Sequence, residues 1–455
     1  MMNKHKFTAS PVALAVSATL LCFSTTAMAS DADKINELEE RLNQLEIELI
    51  DAKDAAKKND RVQFKSGNPS PEFVSQDGQS TMEFTGRIQL DYVNADAFYT
   101  GSKREYEGGI NEVDFRRIRF GVEGYFSNVW KYSLEFDFDG HSEVEVKDAN
   151  VNYRGFENSE IKVGFQKFGF GLEATGSSSQ LAFLERASTD TFSPDRAVGA
   201  SWLYKGDNYN FTLGYGVTAL INDDDENEQQ DVVNSRFTIA PINNSNHLLH
   251  LGASALYTKS NSAADETRYR ARPNTKATSR IIDTGKFNTK STQHYGIEAA
   301  YQHRNFLVQG EYQIAKTDEL FIKGDAQGKA TFDAAYVQAV YTLTGESWRY
   351  GGKKGTFKTV KPENAISAGG YGAWEIAARV DMADFNDTDA GIYGGKKTDY
   401  VIGLNWYLEN NLKAQFNYVH TKADYKNGFE DHQDPDIILY EQDGNIFQAR
   451  LQYAF

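Results

Sequence analysis

Between Thr81 and Phe455 lie segments in which the chain changes sides at every residue. Trp130, Tyr132, Leu134, Phe136 and Phe138 hold one parity, while Lys131, Ser133, Glu135 and Asp137 hold the other. Leu412, Ala414, Phe416 and Tyr418 do the same against Lys413, Gln415 and Asn417. So do Phe84, Gly86, Ile88, Leu90 and Tyr92 against Glu83, Thr85, Arg87, Gln89 and Asp91. A period of two puts each set on its own face of a strand, one face apolar and the other wet. Sixteen segments read this way, near 81–94, 113–125, 129–139, 143–154, 159–168, 196–205, 208–218, 232–241, 246–259, 291–303, 305–317, 331–344, 372–384, 397–408, 411–423 and 444–455. In the last, Phe447, Ala449, Leu451, Tyr453 and Phe455 face Gln448, Arg450 and Gln452. An alternating strand closed by an aromatic is the address read by the outer-membrane barrel assembly machinery, so Phe455 is expected to engage it.

Composition separates this pattern from its competitors. Bulk comes from 29 Phe and 25 Tyr in a chain that is only 40% hydrophobic, with a mean hydropathy of −0.57. A bundle of membrane helices needs runs of about twenty apolar residues. Transmembrane β-strands look polar on average because half of their residues face water. The apolar stretch Val12–Phe23, after Lys4 and Lys6 and before Ala27-Met28-Ala29, is too short to span and reads as a signal peptide, residues 1–29. Its removal takes away Cys22 and two lysines but no acid, turning a formal charge of −16 into −18. A cysteine-free exported chain has no disulfide framework, and such an acidic balance argues against nucleic acid as a partner.

Next, Ile35, Leu38, Leu42, Leu45, Leu49, Ala52 and Ala56 recur at alternating spacings of three and four. That is an a/d seam, and it predicts a short self-associating coiled coil within residues 30–58, followed by a linker at 59–80 and the barrel domain at 81–455. With an even strand number and a periplasmic N-terminus, connections after odd strands lie outside the cell. Ser127-Asn128, Gly206-Asp207, Arg304 and Glu409-Asn410 then become tight periplasmic turns. Residues 345–371 come out periplasmic but long, which means either a miscounted strand or a segment with a task.

No catalytic pattern stands out. The eight histidines are scattered, with no HExxH, GxSxG or phosphate-cradling glycine loop, so neither an enzyme, a metal nor a cofactor is expected. His141-Ser142 and Asp431-His432 only superficially suggest a barrel hydrolase. Asp223–Glu226 is an acidic run in an outside loop, to be read as solvated or as holding cations shared with lipopolysaccharide. The cations are better ordered. Arg268, Arg270 and Arg272 fall at i, i+2 and i+4, followed by Lys276. In an extended segment three guanidiniums then share a face about 7 Å apart and can pass an oxyanion from fork to fork. Arg117 and Arg119 share the polar parity of their strand, with Ile118 and Phe120 toward lipid, and cations on an inner wall create a field across a channel.

In order along the chain, Gly86-Arg87-Ile88-Gln89-Leu90-Asp91-Tyr92, Phe115-Arg116-Arg117, Asp148-Ala149 before Tyr153, Phe170-Gly171-Leu172-Glu173, Leu184-Glu185-Arg186-Ala187, Gly372-Ala373-Trp374-Glu375 with Ala378-Arg379, Gly403-Leu404-Asn405-Trp406-Tyr407 and Arg450-Leu451-Gln452 resemble the phosphate-selective porin O and P family. The resemblance runs from residue 81 to 455. It implies a trimer of 16-stranded barrels narrowed by inward-folded loops, one of them periplasmic. Residues 345–371 would be that constriction, with Arg349, Lys353, Lys354, Lys358 and Lys361 at the exit. Arg268, Arg270 and Arg272 would match the family's arginine ladder. The phosphate site would map onto Arg87, Tyr92, Arg116, Arg117 and Asp148 with Ser177, Ser178 and Ser179. A carboxylate suits such a site because hydrogen phosphate donates a proton to it, whereas chloride and sulfate cannot. The sequence departs at Gln180 and Ala174, where lysines are found in the family, and at Arg119, which replaces a tyrosine. Those departures bear on phosphate specificity and leave anion passage carried by the rest.

The expectation is an all-β, 16-stranded antiparallel transmembrane barrel behind a short helical coiled coil. It would sit in the outer membrane of a Gram-negative bacterium, against lipid and lipopolysaccharide, and pass small anions such as phosphate or polyphosphate. Two alternatives stand beside it. One is a general porin of weak or cationic selectivity, favoured by Glu83, Asp91, Glu123, Glu135 and Asp137 on the lumen parity. The other is a structural or adhesive barrel tethered by its coiled coil.

Overall fold

A computed structural model describes residues 31–58, 62–64, 69–100, 105–138, 144–194, 196–218, 230–260, 266–322 and 324–455. The signal-peptide assignment, His141-Ser142 and the acidic run Asp223–Glu226 lie outside these residues. The chain forms two units, Met1–Asp60 and Arg61–Phe455.

In the first unit Asp31–Lys58 is one helix, α1. Leu38, Leu42, Leu45 and Leu49 on its seam are each more than half exposed. A 28-residue helix with a bare stripe of leucines has its apolar face unburied within this unit.

The second unit is a closed barrel. Among the described residues its wall is built from sixteen strands: β1 Thr81–Ala95, β2 Ile110–Phe126, β3 Trp130–Asp137, β4 Glu145–Tyr153, β5 Ser159–Lys167, β6 Arg196–Lys205, β7 Tyr209–Thr218, β8 Gln230–Asn243, β9 His247–Ser260, β10 Phe287–His303, β11 Phe306–Ile322, β12 Thr331–Thr342, β13 Ala373–Asp387, β14 Ile392–Tyr407, β15 Leu412–Glu430 and β16 Ile438–Ala454. Each pairs antiparallel with the next, and β16 closes on β1 with Gln452 opposite Gln89. All sixteen expected segments are strands. Several run further outward than alternation indicated, for example β15 to Glu430 rather than 423 and β16 from Ile438 rather than 444. Past the lipid the outward residues become Lys422, Asp424 and Lys426, so the pattern disappears while backbone pairing continues.

The wall is apolar outside and polar inside. On β13, Ile376, Val380 and Met382 are exposed while Glu375, Arg379 and Asp381 are buried. Ser127 and Asn128 turn β2 into β3 with φ of 51° and 56°, left-handed values that a tight connection needs. At the closure Gly86 and Phe455 exchange backbone hydrogen bonds of 2.9 and 3.0 Å. A Cβ on Gly86 would stand 2.7 Å from the Phe455 ring, so glycine is what lets the last aromatic seat there.

The expected linker is partly sheet. Val62–Phe64 pairs with Pro71–Val74, which pairs in turn with the start of β1. Phe73 meets Phe84 edge-on at 6.0 Å, and the Ser70 hydroxyl donates to the Phe84 carbonyl at 2.5 Å, contacts that turn signals alone do not disclose.

Candidate functional site: a constricted, basic lumen

Three segments fold into the barrel. The connection after β5 enters as Leu172–Thr175 and two 3-10 turns, Ser178–Gln180 and Ser188–Phe192. Its Phe170, Leu172, Phe183, Leu184 and Phe192 are buried, giving the loop a core of its own against the wall. The Leu172 and Glu173 amides donate to the Glu311 carboxylate on β11 at 2.9 and 2.8 Å. Arg379 pairs with Glu173, donates to the Glu185 carbonyl at 3.0 Å and covers the Phe183 ring at 4.4 Å. On the β16 side Arg450 is paired with Asp91 at 2.6 Å and with Glu185 at 3.0 Å. Burial alone would raise the Glu185 pKa, but Arg116, Arg117 and Arg450 outweigh it and hold the carboxylate well below its usual range.

The second segment is the long connection after β12. It is a job, not a miscount: Arg349–Gly351 and Thr356–Lys358 form a hairpin inside the wall. Arg236 of β8 donates to the Lys354 carbonyl at 2.7 Å and to the Gly355 carbonyl at 2.9 Å, and His250 of β9 meets the Tyr350 hydroxyl at 2.8 Å. The two inward segments touch. Gln180 accepts from the Thr359 amide at 3.0 Å and from its hydroxyl at 3.1 Å.

The third is residues 266–286. Tyr269 and Ala271 are buried at 5% exposure each, so Arg268, Arg270 and Arg272 take the opposite parity, with Arg270 exposed. Tyr269 is fixed by the His294 ring at 2.8 Å. Asn274 donates to Asp381 and Asp399 at 2.6 Å each. Arg268 is paired with Asp283, and that hydrogen bond raises its pKa. Enclosure and the neighbouring Arg272, Arg270 and Arg268 push Arg280 down to about 10. Mutual repulsion of this kind marks a row of cations held together by the fold. Lys276 lies beside Asp91 and Arg116 in a cleft of about 400 Å³.

What remains open is a cavity of about 530 Å³ along the wall of the first strands. Among the described residues it is lined by eleven basic side chains and four carboxylates. Each carboxylate has a cationic partner: Glu123 with Lys131 at 2.8 Å, Glu135 with Arg87 at 3.3 Å, Asp148 with Arg196 at 3.5 Å, and Glu160 with Arg154 at 2.8 Å. Of the acids that favoured cation passage on parity, Glu123, Glu135, Asp91 and Asp137 are therefore neutralised locally, Asp91 by Arg450 and Asp137 by Arg119 at 2.8 Å.

Arg87 reaches Ser178 at 2.8 Å and Ser177 at 3.2 Å, and Ser179 joins them through Ser177 at 3.0 Å. Because Arg87 occupies the Ser178 oxygen, that hydroxyl's proton is left to donate elsewhere. Arg117 lies within this group, bonded to Gln89 at 2.8 Å. Arg119, Asp148 and Lys354 line the same cavity. The surrounding protein and then Lys131 hold the Lys354 ammonium below its usual pKa.

One residue sits elsewhere than the family resemblance implies. Tyr92 is on the outer face, 37% exposed and 6.3 Å from Phe447, because its parity is the lipid one. Arg116, by contrast, faces inward beside Arg117 even though consecutive strand residues normally diverge. A β-bulge leaves Arg116 unpaired between Gln89–Arg117 and Leu90–Phe115, and Arg116 grips Glu185 at 2.7 and 3.0 Å. Arg349, Lys353, Lys358 and Lys361 are exposed, with Arg349 donating to the Thr359 carbonyl at 3.2 Å. The lining also includes Lys131, Arg154, Lys162, Arg186 and Arg196, none of which the sequence argument assigned to the site. Lys131 and Lys162 were legible as inward-parity cations between apolar neighbours.

Residues 82–455 match the family model described as phosphate-selective porin O and P. Porin O of Pseudomonas aeruginosa is 28% identical over the whole of both chains. An uncharacterized protein of Caulobacter vibrioides is 32% identical over 77% of this chain and 70% of its own length. Among solved structures, the outer membrane channel DcaP of Acinetobacter baumannii shares the fold at 11% identity and a TM-score of 0.52, covering 84% of this chain and 99% of that one. Porin O and DcaP are by name a porin and a channel. With a closed 16-stranded barrel and a family match over nearly all of it, the chain belongs to the phosphate-selective porin O and P family of Gram-negative outer-membrane proteins.

Proposed function

We propose that the protein is a passive outer-membrane channel for anions, with phosphate or polyphosphate as its solutes. The observation that carries this is the cavity lined by eleven basic groups whose four carboxylates are already paired. Anions are drawn in along Arg268, Arg270 and Arg272 and past Lys276. They pass Arg116, Arg117 and Arg119 and the Arg87–serine turn, then leave by Lys354 toward Arg349, Lys353, Lys358 and Lys361. Several weak sites in series allow entry without trapping. Asp148 accepts the proton that hydrogen phosphate carries. Tyr92 has no part in this path.

The test is the reversal potential of purified channels under a salt gradient, which should report anion preference despite the acidic sequence. Residues in the pore act through a few ångströms of low-dielectric surroundings, while surface acids are screened within about 8–10 Å at physiological salt. Arg117→Ala should raise the phosphate concentration that halves chloride current by about tenfold, the size of one charge-assisted hydrogen bond. Cation preference in the wild type would return the general-porin reading, and a barrel closed to all ions the adhesive one.

Assembly follows the same reading. The protein is a homotrimer, exported by a signal peptide over residues 1–29 and inserted by the assembly machinery through Phe455, with lipopolysaccharide around its outer rim. The bare seam of α1 is a periplasmic coiled coil between copies. Deleting Asp33–Lys57 should leave folded, conducting barrels, since three heptads add little to barrel interfaces. Loss of conduction by folded barrels, seen by cross-linking beside bilayer recording, would make the coil part of the pore.

A further inference from the structure

A carboxylate stands between two guanidiniums at the serine turn. Glu135, on β3, accepts from Arg87 through one oxygen at 3.3 Å and from Arg119 through the other at 3.1 Å. Its side chain is 13% exposed and lines the open cavity. Arg87 turns its second nitrogen to Ser178 and Ser177. Asp137, two residues on, also accepts from Arg119, at 2.8 Å, but it is buried, outside the cavity lining, and bonded to Arg119 rather than Arg87.

A carboxylate and a phosphate present the same two-oxygen edge to a guanidinium. An oxyanion arriving at the serine turn therefore meets an Arg87 that already serves a fixed carboxylate. It must either share Arg87, placing two like charges together, or move Glu135 off. Arg119 already holds the other Glu135 oxygen and can keep the carboxylate when Arg87 lets go. We infer that Glu135 is a built-in competitor for the permeating oxyanion, yielding Arg87 as the anion enters, reclaiming it as the anion leaves, and so setting the dwell time. Chloride offers the guanidinium edge one spherical acceptor rather than a matched pair of oxygens, so it displaces Glu135 less well than phosphate does. The inference rests on the anion-channel reading and adds the residue that keeps binding weak.

The experiment records chloride current through the full-length protein in planar bilayers while inorganic phosphate is added. Selectivity is read first, so a cation-preferring wild type overturns the channel reading and, with it, this one. Glu135→Gln keeps the shape and removes the charge, and it should lower the half-blocking phosphate concentration by about tenfold, between the bulk-water and protein-surface limits for one charge at contact. Asp137→Asn removes the same charge from a carboxylate that is near Arg87 but makes no hydrogen bond to it, and should shift it less than about threefold. Unchanged or weaker block in Glu135→Gln, or an equal shift in Asp137→Asn, overturns the competitor role while leaving anion selectivity standing. Arg119→Gln supplies an arm of opposite sign: with Arg119 gone Glu135 stays on Arg87, so phosphate block should weaken. Block as strong as wild type there also overturns it.

Discussion

Arg379→Ala is expected to yield a barrel that still assembles but passes several-fold more current, in noisy openings, with most of its anion preference lost. Arg379 is fully buried and joins three parts of the molecule. It pairs with Glu173 of the loop after β5, accepts nothing, and donates to Gln338 of β12 at 2.9 Å and to Asn274 of the 266–286 segment at 3.2 Å. Its guanidinium also lies over the Phe183 and Tyr336 rings, at 4.4 and 5.2 Å. Removing one member of a buried ion pair costs about 3–5 kcal/mol, because the other charge is stranded without water. The sixteen-strand hydrogen-bond ladder survives a loss of that size, whereas two inward segments held in part by this one side chain do not. Single-channel conductance at about 1 M salt, where the Debye length is about 3 Å, isolates the geometric effect from the field. Wild-type conductance and noise in Arg379→Ala would mean that the other anchors, Glu311 and the Arg450–Glu185 pair among them, hold the loop without it.

Replacing Arg268, Arg270 and Arg272 together by Ala should cut the anion-to-cation permeability ratio by about tenfold at about 0.01 M salt, where the Debye length is about 30 Å, and far less at about 1 M. The effect exceeds the loss of three charges spread at random, because Asp283 loses its Arg268 partner and turns from a neutralised group into a free acid beside the path. Reversal potentials across a range of ionic strengths check this. A ratio that changes equally at all salt concentrations would place these arginines off the conduction path.

The wall was legible because a strand with lipid on one side writes its geometry into every second residue. Its outward extension was not, since above the lipid Lys422, Asp424 and Lys426 are as acceptable outside as inside. Arg379 entered the sequence reading only as part of a family motif and Asp381 not at all, and no pattern along one strand says what either holds. Those contacts span about two hundred residues and exist only once three loops have folded in. Tyr92 shows the reverse: its alternation placed it toward lipid, and the structure keeps it there. Parity missed Arg116, which only the family resemblance pointed to, because period two assumes one residue per pleat.

That extra residue makes β2 unusually forgiving at one place. Deleting a residue from a regular strand turns everything on one side of the cut inside out. Deleting Arg116 does not: Phe115 already pairs opposite Leu90 and Arg117 opposite Gln89, so the shortened strand closes into an unbroken ladder with every face preserved. A lineage carrying this barrel can thus drop or regain a luminal cation by a single-codon deletion or insertion, leaving the membrane-facing surface untouched.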